Sequence, residues 1–194
     1  MLKINNLSFS YGEKDIIKAL SLSLPEKGVF VIMSPSGSGK TTLFSLIAGL
    51  LKPDSGSIEI DAKKVAVSFQ DDRLLPWMSA AENVNFVLGG KKNTLTRAVK
   101  HLSELGLGED AGKYPSELSG GMKKRVSLAR AFATEADLVL LDEPFNGLDA
   151  DTKSVVMDKI KKVGESALVL VITHERADAE MITNSIYELY ELMK

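Results

Sequence analysis

Near the start of the chain, apolar residues roughly alternate with polar ones, and strictly so at residues 20–24, which is the pattern of strands that expose one face to solvent. The alternating apolar positions are Leu2, Ile4, Leu7, Phe9, Leu20, Leu22 and Leu24. Half-exposed strands of this kind are typical of antiparallel sheets. We therefore predict an antiparallel β part at the N-terminus.

Three later runs are apolar without interruption, at residues 29–33, 138–141 and 168–172. Continuous apolar runs are typical of strands that are buried on both faces. Each run is followed by small or polar residues and then by a helical pattern, which is the repeat of a parallel sheet covered by helices. The predicted fold class is therefore α/β, with a mostly parallel sheet at its core.

Between the first two of these runs the strand pattern stops, and helical periodicity dominates from about residue 74 to residue 133. Apolar residues recur at helical spacing at Leu95, Val99, Leu102 and Leu105, and again at Met122, Val126, Ala129 and Ala133. We predict one domain, residues 1–194, in which a helical lobe (71–135) is inserted into a core (1–70 and 136–194).

The chain has 194 residues, 44% of them apolar, a net charge of −2 and no cysteine. This balance excludes a disordered or collagen-like chain, and the absence of cysteine excludes disulfides, thiolate metal ligands and cysteine nucleophiles. The longest apolar run, Ala167–Ile172, has six residues, far short of the roughly 20 that a membrane-spanning helix needs. The N-terminus lacks the apolar segment of a secretory signal, and the net charge indicates no nucleic-acid partner. We therefore expect a protein of the cytoplasm.

The strongest chemical motif is the segment at residues 34–42, Ser-Pro-Ser-Gly-Ser-Gly-Lys-Thr-Thr, between a predicted buried strand and an apolar helical run. A strand, a glycine-containing loop and a helix in this order form a phosphate cradle from main-chain N–H groups. Lys40 is expected at the β- and γ-phosphates, and Thr41 at Mg²⁺. The predicted phosphate contacts are Ser36, Gly37, Ser38, Gly39, Lys40, Thr41 and Thr42. Ser34 stands where such loops usually open with glycine, so we expect it to adopt an unusual backbone angle or to shift the turn.

Residues that suit phosphate chemistry also follow the other two buried runs. Asp142 and Glu143 follow the second run, and His174 follows the third. The carboxyl ends of parallel strands form the crevice where α/β sheets bind ligands, so we expect Asp142 at Mg²⁺, Glu143 at the attacking water and His174 at the γ-phosphate. The plainer alternative for the phosphate loop and for the carboxylates is an ordinary helix cap. His101, in contrast, is expected on a solvated helix face.

One further segment, Leu118-Ser119-Gly120-Gly121, resembles the signature motif of the ATP-binding cassette (ABC) ATPases. The motifs stand in the order of that family, which is phosphate loop, Gln70, signature, Asp142-Glu143, Asp149 and His174. The resemblance covers essentially the whole chain. It implies the ABC ATPase fold, a P-loop NTPase core with a mostly parallel sheet, an N-terminal antiparallel β part and an inserted helical lobe.

The resemblance implies ATP and Mg²⁺ as cofactors and a head-to-tail dimer around two ATP molecules. Tyr11 would stack on the adenine ring. Ser119, Gly120 and Gly121 would bind the γ-phosphate of the ATP that the opposite subunit holds, and the amides of a helix N-terminus suit such an anion. Residues 146–149, Asn-Gly-Leu-Asp, resemble the loop that communicates across the dimer.

The resemblance also implies which residues act on ATP. Glu143 would be the general base, and Gln70 would contact both Mg²⁺ and the attacking water. The implied catalytic set is Lys40, Gln70, Glu143 and His174, and the implied metal set is Thr41, Gln70 and Asp142.

The implied function is the ATP-hydrolysing subunit of an ABC membrane transporter, peripheral at the cytoplasmic face of the membrane. ATP would close a homodimer or a pair of cassettes and so drive transmembrane permease subunits, without contact between the cassette and the cargo. Residues 69–77, Phe-Gln-Asp-Asp-Arg-Leu-Leu-Pro-Trp, are similar to a segment of importers for nitrate, sulfonate and taurine, which favours import. Trp77 either docks on the permease or packs inside the helical lobe.

Two departures from the family pattern leave other functions open. Ser34 replaces the first loop glycine, and Met122 stands where the signature usually has glutamine. One alternative is a nucleotide-binding regulatory module without turnover, and the other is an ABC ATPase without a transport role. The retained catalytic residues favour turnover. Family members are usually longer than this chain, and we expect a final strand or helix at residues 184–192 with no regulatory domain after it.

Overall fold

The computed structural model describes residues 1–35 and 37–193, so the predicted phosphate contact Ser36 lies outside the described residues. The strands are β1 (Leu2–Tyr11), β2 (Lys14–Leu24), β3 (Gly28–Met33), β4 (Ser55–Ile60), β5 (Val65–Ser68), β6 (Leu138–Asp142), β7 (Leu168–Thr173) and β8 (Ile186–Glu188). The helices are α1 (Lys40–Ile47), α2 (Ala80–Val87), α3 (Leu95–Ser103), α4 (Gly120–Ala133), α5 (Ala150–Gly164) and α6 (Arg176–Ile182). Short 3₁₀ turns cover Lys92–Thr94, Pro115–Glu117 and Leu189–Leu192.

The predicted antiparallel part is a sheet with the strand order β2-β1-β4. The apolar residues of β1 point inward at alternate positions, as with Leu2 and Ile4, which are fully buried. In strand β4 the alternation is limited to Ile58 and Ile60, which are only half-buried at the edge of the core. It was therefore not among the strands that the sequence predicted.

The predicted parallel core is a second sheet, with the order β5-β6-β7-β3-β8 and parallel pairing throughout. The three continuous apolar runs are β6, β7 and β3, which are neighbours at its centre. The α/β fold class is thus confirmed. The segment at 184–192, for which a strand or a helix was expected, contains both the short strand β8 and a 3₁₀ turn.

Each face of the parallel sheet packs into its own hydrophobic core. In β6, Leu138 and Leu140 belong to the core that includes α1 and the antiparallel sheet. Val139 and Leu141 belong to the other core, which includes residues of α2 to α6. Because both faces are covered, these strands need apolar residues at every position, which explains the uninterrupted runs.

Helices α2, α3 and α4 lie between β5 and β6 in the sequence, in the region predicted as an inserted lobe. Helix α2 begins with a complete capping box, in which Ser79 and Glu82 each accept a hydrogen bond from the other's main-chain N–H. On α3, Leu102 is fully buried and Leu95 and Val99 pack at the edge of the core, as the periodicity predicts. In the part of the chain that the structure describes, the helices are too short or too polar to cross a bilayer.

The prediction of a solvated His101 is wrong. Its side chain is only 15% exposed, and it lines a cavity with Phe132 of α4 and Lys159 of α5. Burial lowers the pKa of this imidazole. The sequence around His101 could not show this, because α4 and α5 come from distant parts of the chain.

Candidate active site

The residues predicted for ATP chemistry follow strands that end at one edge of the parallel sheet. Strand β3 leads into the phosphate loop, β5 leads to Gln70, β6 ends in Asp142 before Glu143, and β7 leads to His174. Because β5, β6, β7 and β3 are parallel neighbours, their carboxyl ends meet at this edge. A cavity of about 410 Å³ lies there, which we call the phosphate cavity. It is lined by Ile16, Gly37, Gly39, Lys40, Thr41, Thr42, Gln70, Glu143, Asn146 and His174.

Gly39 allows the loop to enter helix α1. It caps the helix with a φ of 93°, a left-handed angle that favours glycine. A Cβ at this position would stand 2.5 Å from Cγ2 of Ile16 on β2. The N-terminus of α1 has neither a side-chain cap nor an acidic residue in its first turn. Its N–H groups and the positive end of its dipole are therefore available to an anion.

Lys40, the first residue of α1, is 8% exposed and carries its charge into the cavity. Its ammonium group donates to the carbonyl oxygens of Ser34 at 2.5 Å and Pro35 at 3.3 Å. Its Nζ also lies 3.5 Å from Oε1 of Glu143. The loop's own carbonyls thus satisfy this buried cation, and a phosphate would offer it stronger, charged acceptors.

For Ser34 we expected either an unusual backbone angle or a shifted turn. The unusual angle is not observed. Its φ is not positive, and its side chain is buried. The hydroxyl of Ser34 instead forms a hydrogen bond with the hydroxyl of Ser38 across the loop. The loop thus accepts a serine at its opening through a contact that glycine could not make.

Thr41 and Asp142 form the part of the site that fits Mg²⁺. The hydroxyl of Thr41 donates to Oδ2 of Asp142 at 2.7 Å. Asp142 is 1% exposed, its Oδ1 has no hydrogen-bond partner among the described residues, and burial raises the pKa of this carboxyl. Mg²⁺ prefers oxygen ligands and keeps several of its waters, so a buried carboxylate with a free oxygen beside a hydroxyl fits the metal.

Glu143 lies between two groups that can bear positive charge. Its Oε1 is 2.9 Å from Nδ1 of His174 and 3.5 Å from Nζ of Lys40. Its main-chain N–H donates to the carbonyl of Ile172 on β7, while its φ of 49° turns the chain out of the strand. Positive φ at a non-glycine residue is strained, and such strain is common at functional sites. The carboxylate is 6% exposed and is held at the cavity wall.

Two predicted site residues differ in their relation to the cavity. Gln70 lines it, although its side chain is otherwise exposed. Tyr11 is 53% exposed, packs edge-to-face on Phe9 and is not among the described residues that line the cavity. Ile16 lines the cavity but was not predicted, because an apolar residue in a strand carries no signal of ligand contact.

The predicted signature residues lie at a second cavity, of about 550 Å³, which we call the signature cavity. Its lining residues are Asp72, Ser119, Gly120, Gly121, Lys124, Arg125, Asn146, Gly147, Leu148, Asp149 and Thr152. Within the described part of one chain, Ser119, Gly120 and Gly121 do not line the phosphate cavity. Asn146 lines both cavities.

The start of α4 packs closely on the loop before α5. Ser119 caps α4, with its Oγ accepting from the N–H of Met122 at 3.3 Å. A Cβ on Gly121 would stand 3.0 Å from the carbonyl oxygen of Gly147. Asp149 caps α5 by accepting from the N–H and hydroxyl of Thr152, and these bonds lower the pKa of Asp149. The signature and residues 146–149 therefore form one continuous surface.

The sequence of this chain is similar to one family model and to curated import proteins. The family model described as ABC transporter matches residues 17–146. The aliphatic sulfonates import ATP-binding protein SsuB of Corynebacterium glutamicum is 40% identical over 182 residues, which cover 91% of this chain and 74% of that protein. The taurine import ATP-binding protein TauB of Pseudomonas aeruginosa is 40% identical over 179 residues, which cover 84% of this chain and 67% of that protein.

Solved structures give the same result. The dimeric structure of MJ0796, a bacterial ABC transporter cassette, superposes with a TM-score of 0.86 at 31% identity, covering 93% of this chain and 91% of that cassette. A post-hydrolysis state of MJ0796 bound to ADP and Pi has a TM-score of 0.84 at 30% identity and the same coverage.

These similarities confirm the predicted ABC ATPase fold and the resemblance to importer cassettes. They also confirm the predicted class of function, an ATP-binding and ATP-hydrolysing transporter subunit that uses ATP and Mg²⁺. The chain belongs to the ABC transporter family.

Proposed function

We propose that this chain is the ATP-hydrolysing subunit of a membrane importer and that the phosphate cavity is its half of the catalytic site. The observation that carries the proposal is the convergence of Lys40, Glu143 and His174 at one wall of that cavity. The cavity offers a cationic group for phosphate, oxygen ligands for a metal ion and a carboxylate for a water molecule.

Binding of ATP is assigned to the loop and to helix α1. Main-chain N–H groups from Gly37 to Thr42 would surround the phosphates, and Lys40 would exchange its two carbonyl partners for phosphate oxygens. Tyr11 would stack on the adenine ring, with its exposed face available for that contact. Thr41, Gln70 and Asp142 would hold Mg²⁺, which would neutralise negative charge on the phosphates.

Hydrolysis is assigned to Glu143 as the general base. Its carboxylate would accept a proton from the water that attacks the γ-phosphorus, so that the water's oxygen forms the new P–O bond while the bond to ADP breaks. Lys40 would stabilise the charge that develops on the leaving phosphate oxygens. His174 would orient Glu143 through Nδ1 and reach the γ-phosphate as the dimer closes.

The second half of each site is assigned to a partner cassette. The N-terminus of α4 has exposed residues Ser119 and Gly120 and no acidic residue in its first turn, which suits an anion from outside the chain. The dimeric MJ0796 cassette supports a pair of cassettes as the working unit. Hydrolysis and product release would reopen the pair and move a membrane permease.

Contact with the permease is assigned to the segment Leu74 to Trp77. Trp77 is 69% exposed, although packing inside the lobe was the other expectation. A large exposed indole suits docking on an apolar helix. This contact would place the cassette peripherally at the cytoplasmic face of the membrane. The relatives named for aliphatic sulfonates and taurine support a small sulfonate as cargo, which the cassette itself does not touch.

We also propose that the domain divides into a nucleotide-binding core and a helical lobe. Residues 1–70 and 136–194 would form the nucleotide-binding core, and residues 71–135 would form the helical lobe that meets the permease. The position of α2 to α4 between β5 and β6 supports this division.

The test replaces Glu143 with Gln. We expect Mg²⁺-dependent phosphate release to fall by ~10²–10⁴-fold, because the amide cannot accept the proton from water. ATP binding and ATP-induced dimerisation, measured by light scattering, should persist. Glu165→Gln, at an exposed position after α5, is the matched control.

If Glu143→Gln hydrolyses ATP as fast as the unaltered protein, Glu143 is not the general base. ATP binding without phosphate release in the unaltered protein, at concentrations that form dimers, would instead favour the regulatory module.

A further inference from the structure

Polar residues spaced three apart on α4 hold the loop that carries Gln70. Lys124, Ser127 and Arg130 each contact the segment that runs from the end of β5 through that loop, residues 68–73. The hydroxyls of Ser68 and Ser127 are 3.1 Å apart, and both residues are 1% exposed. Residues three apart lie along one side of a helix, so these contacts form a single row.

Lys124 makes the contacts closest to Gln70. Its Nζ donates to the carbonyl oxygen of Gln70 at 2.6 Å and to that of Phe69 at 3.4 Å. The same nitrogen lies 3.0 Å from Oδ1 of Asp72. Lys124 is 5% exposed, which is unusual for a lysine and requires partners of this kind.

Lys124 is also the cation beside the carboxylate of Asp72. Its Oδ1 is buried and accepts no well-directed hydrogen bond among the described residues, so the nearby ammonium charge is what offsets its burial. Arg130 adds bonds of 2.9 Å to the carbonyls of Asp72 and Arg73. Arg73 itself has a strained φ of 46°. The loop therefore keeps its shape through side chains of α4.

We propose that Lys124 is a positioning residue that fixes Gln70 to the helix bearing the signature motif. Helix α4 begins at the signature cavity, and Gln70 lines the phosphate cavity. A displacement of the start of α4 is then transmitted to the main chain of Gln70 through one buried ammonium group. This inference rests on the proposed function only for the role of Gln70, since the contacts themselves do not depend on ATP.

The first test measures the loop directly in the nucleotide-free protein by hydrogen exchange. Lys124→Met keeps the bulk and removes the donor and the charge. We expect the amides of residues 69–73 to exchange roughly 10-fold faster, while those of α4 beyond Ser127 stay unchanged. Asp72→Asn should give a smaller increase, because Lys124 still bonds the two carbonyls.

The second test measures catalysis. In Lys124→Met we expect kcat to fall ~10- to 100-fold and more Mg²⁺ to be needed for half-maximal rate, with KM for ATP changed less than ~2-fold. A merely structural role would lower stability without this division between Mg²⁺ and ATP. Lys123→Met, the neighbouring lysine without a side-chain bond among the described residues, removes the same charge near the start of α4.

Unchanged exchange at 69–73 in Lys124→Met, or an equal loss of kcat in Lys123→Met, would overturn the inference. If Lys124→Met does not fold, Lys124→Gln serves the same test, since its amide can still donate to the carbonyl of Gln70 and should show an intermediate effect. If the unaltered protein does not hydrolyse ATP, the proposed function fails, while the exchange experiment still decides whether Lys124 holds the loop.

Discussion

Helices α1 and α4 both begin with N–H groups available to an anion, yet their surroundings differ. At α1 a buried lysine, a buried glutamate and an imidazole surround the terminus within one chain. At α4 the terminus is exposed, and its hydroxyl cap is already bonded to the N–H of Met122. The first terminus can recognise and act on a phosphate, whereas the second supplies only donors. From this difference we expect one chain to bind ATP at α1 on its own but to need a partner chain for catalysis.

The largest expected effect comes from removing the charge at α1. Lys40→Met should lower ATP hydrolysis by ~10²–10³-fold, because a buried donor to the developing phosphate charge is lost. It should also weaken ATP binding to the isolated chain, measured by equilibrium titration at protein concentrations too low for dimers. Lys52→Met, at an exposed position, is the matched control. Normal ATP affinity of Lys40→Met in the monomer would contradict a self-contained site at α1.

A smaller effect is expected at α4, and only in the dimer. In Gly121→Ala the new Cβ would stand 3.0 Å from the Gly147 carbonyl, so the two loops of the signature cavity must separate. Overpacking of this kind costs about 1–3 kcal/mol, which we expect to appear as weaker ATP-induced dimerisation in sedimentation experiments. ATP binding to the monomer should be unchanged. Gly112→Ala, where a Cβ meets open space, is the control. Weaker binding of ATP to the Gly121→Ala monomer would contradict the difference between the two helix termini.

The smallest effect concerns stability. Burial raises the pKa of Asp142, so the folded state keeps its proton to a higher pH than the unfolded chain does. The stability of the protein should therefore fall as pH rises from the ordinary value of 3.8 through the raised pKa, and above it the full cost of the buried charge is present.

Asp142→Asn removes that cost. At pH 7 in the absence of nucleotide and Mg²⁺, we expect its thermal midpoint to rise by a few degrees. The gain should vanish below the ordinary carboxyl pKa, and Mg²⁺-dependent hydrolysis should be lost. Asp151→Asn, at an exposed position in α5, provides the comparison. A lower midpoint in Asp142→Asn at pH 7 would show that the carboxylate stabilises the fold.

Much of the fold could be predicted because buried strands have a recognisable pattern of apolar residues in the sequence. Strands β3, β6 and β7 are covered on both faces and therefore read as continuous apolar runs. Strand β4 was missed because its apolar alternation is limited to Ile58 and Ile60, while its pairing with β1 rests on main-chain hydrogen bonds that leave no mark in the sequence. His101 shows the opposite failure, in which helices distant in the sequence cover a polar residue that was expected on a solvated helix face.

The site was predictable where chemistry depends on local spacing. The loop with Lys40 and Thr41 forms between adjacent elements, so its motif is visible in a short segment. Lys124 was not identified, because a lysine in a helix normally points to solvent and its partner Asp72 lies far away in the sequence. That the signature would line a cavity apart from Lys40 followed only from the family resemblance.

The alternation of β6 between two cores also sets the direction of its last side chains. Deleting one residue from 138–141 would exchange the two faces of the strand, which would send Asp142 to the other side of the sheet and displace Glu143 after it. The burial pattern of β6 thus sets the position of the carboxylates that follow it. Single-residue insertions or deletions in β6 should therefore be far less tolerated than those in the Gly89–Gly90 turn. Length variation among related chains should accordingly collect in the loops and spare this strand.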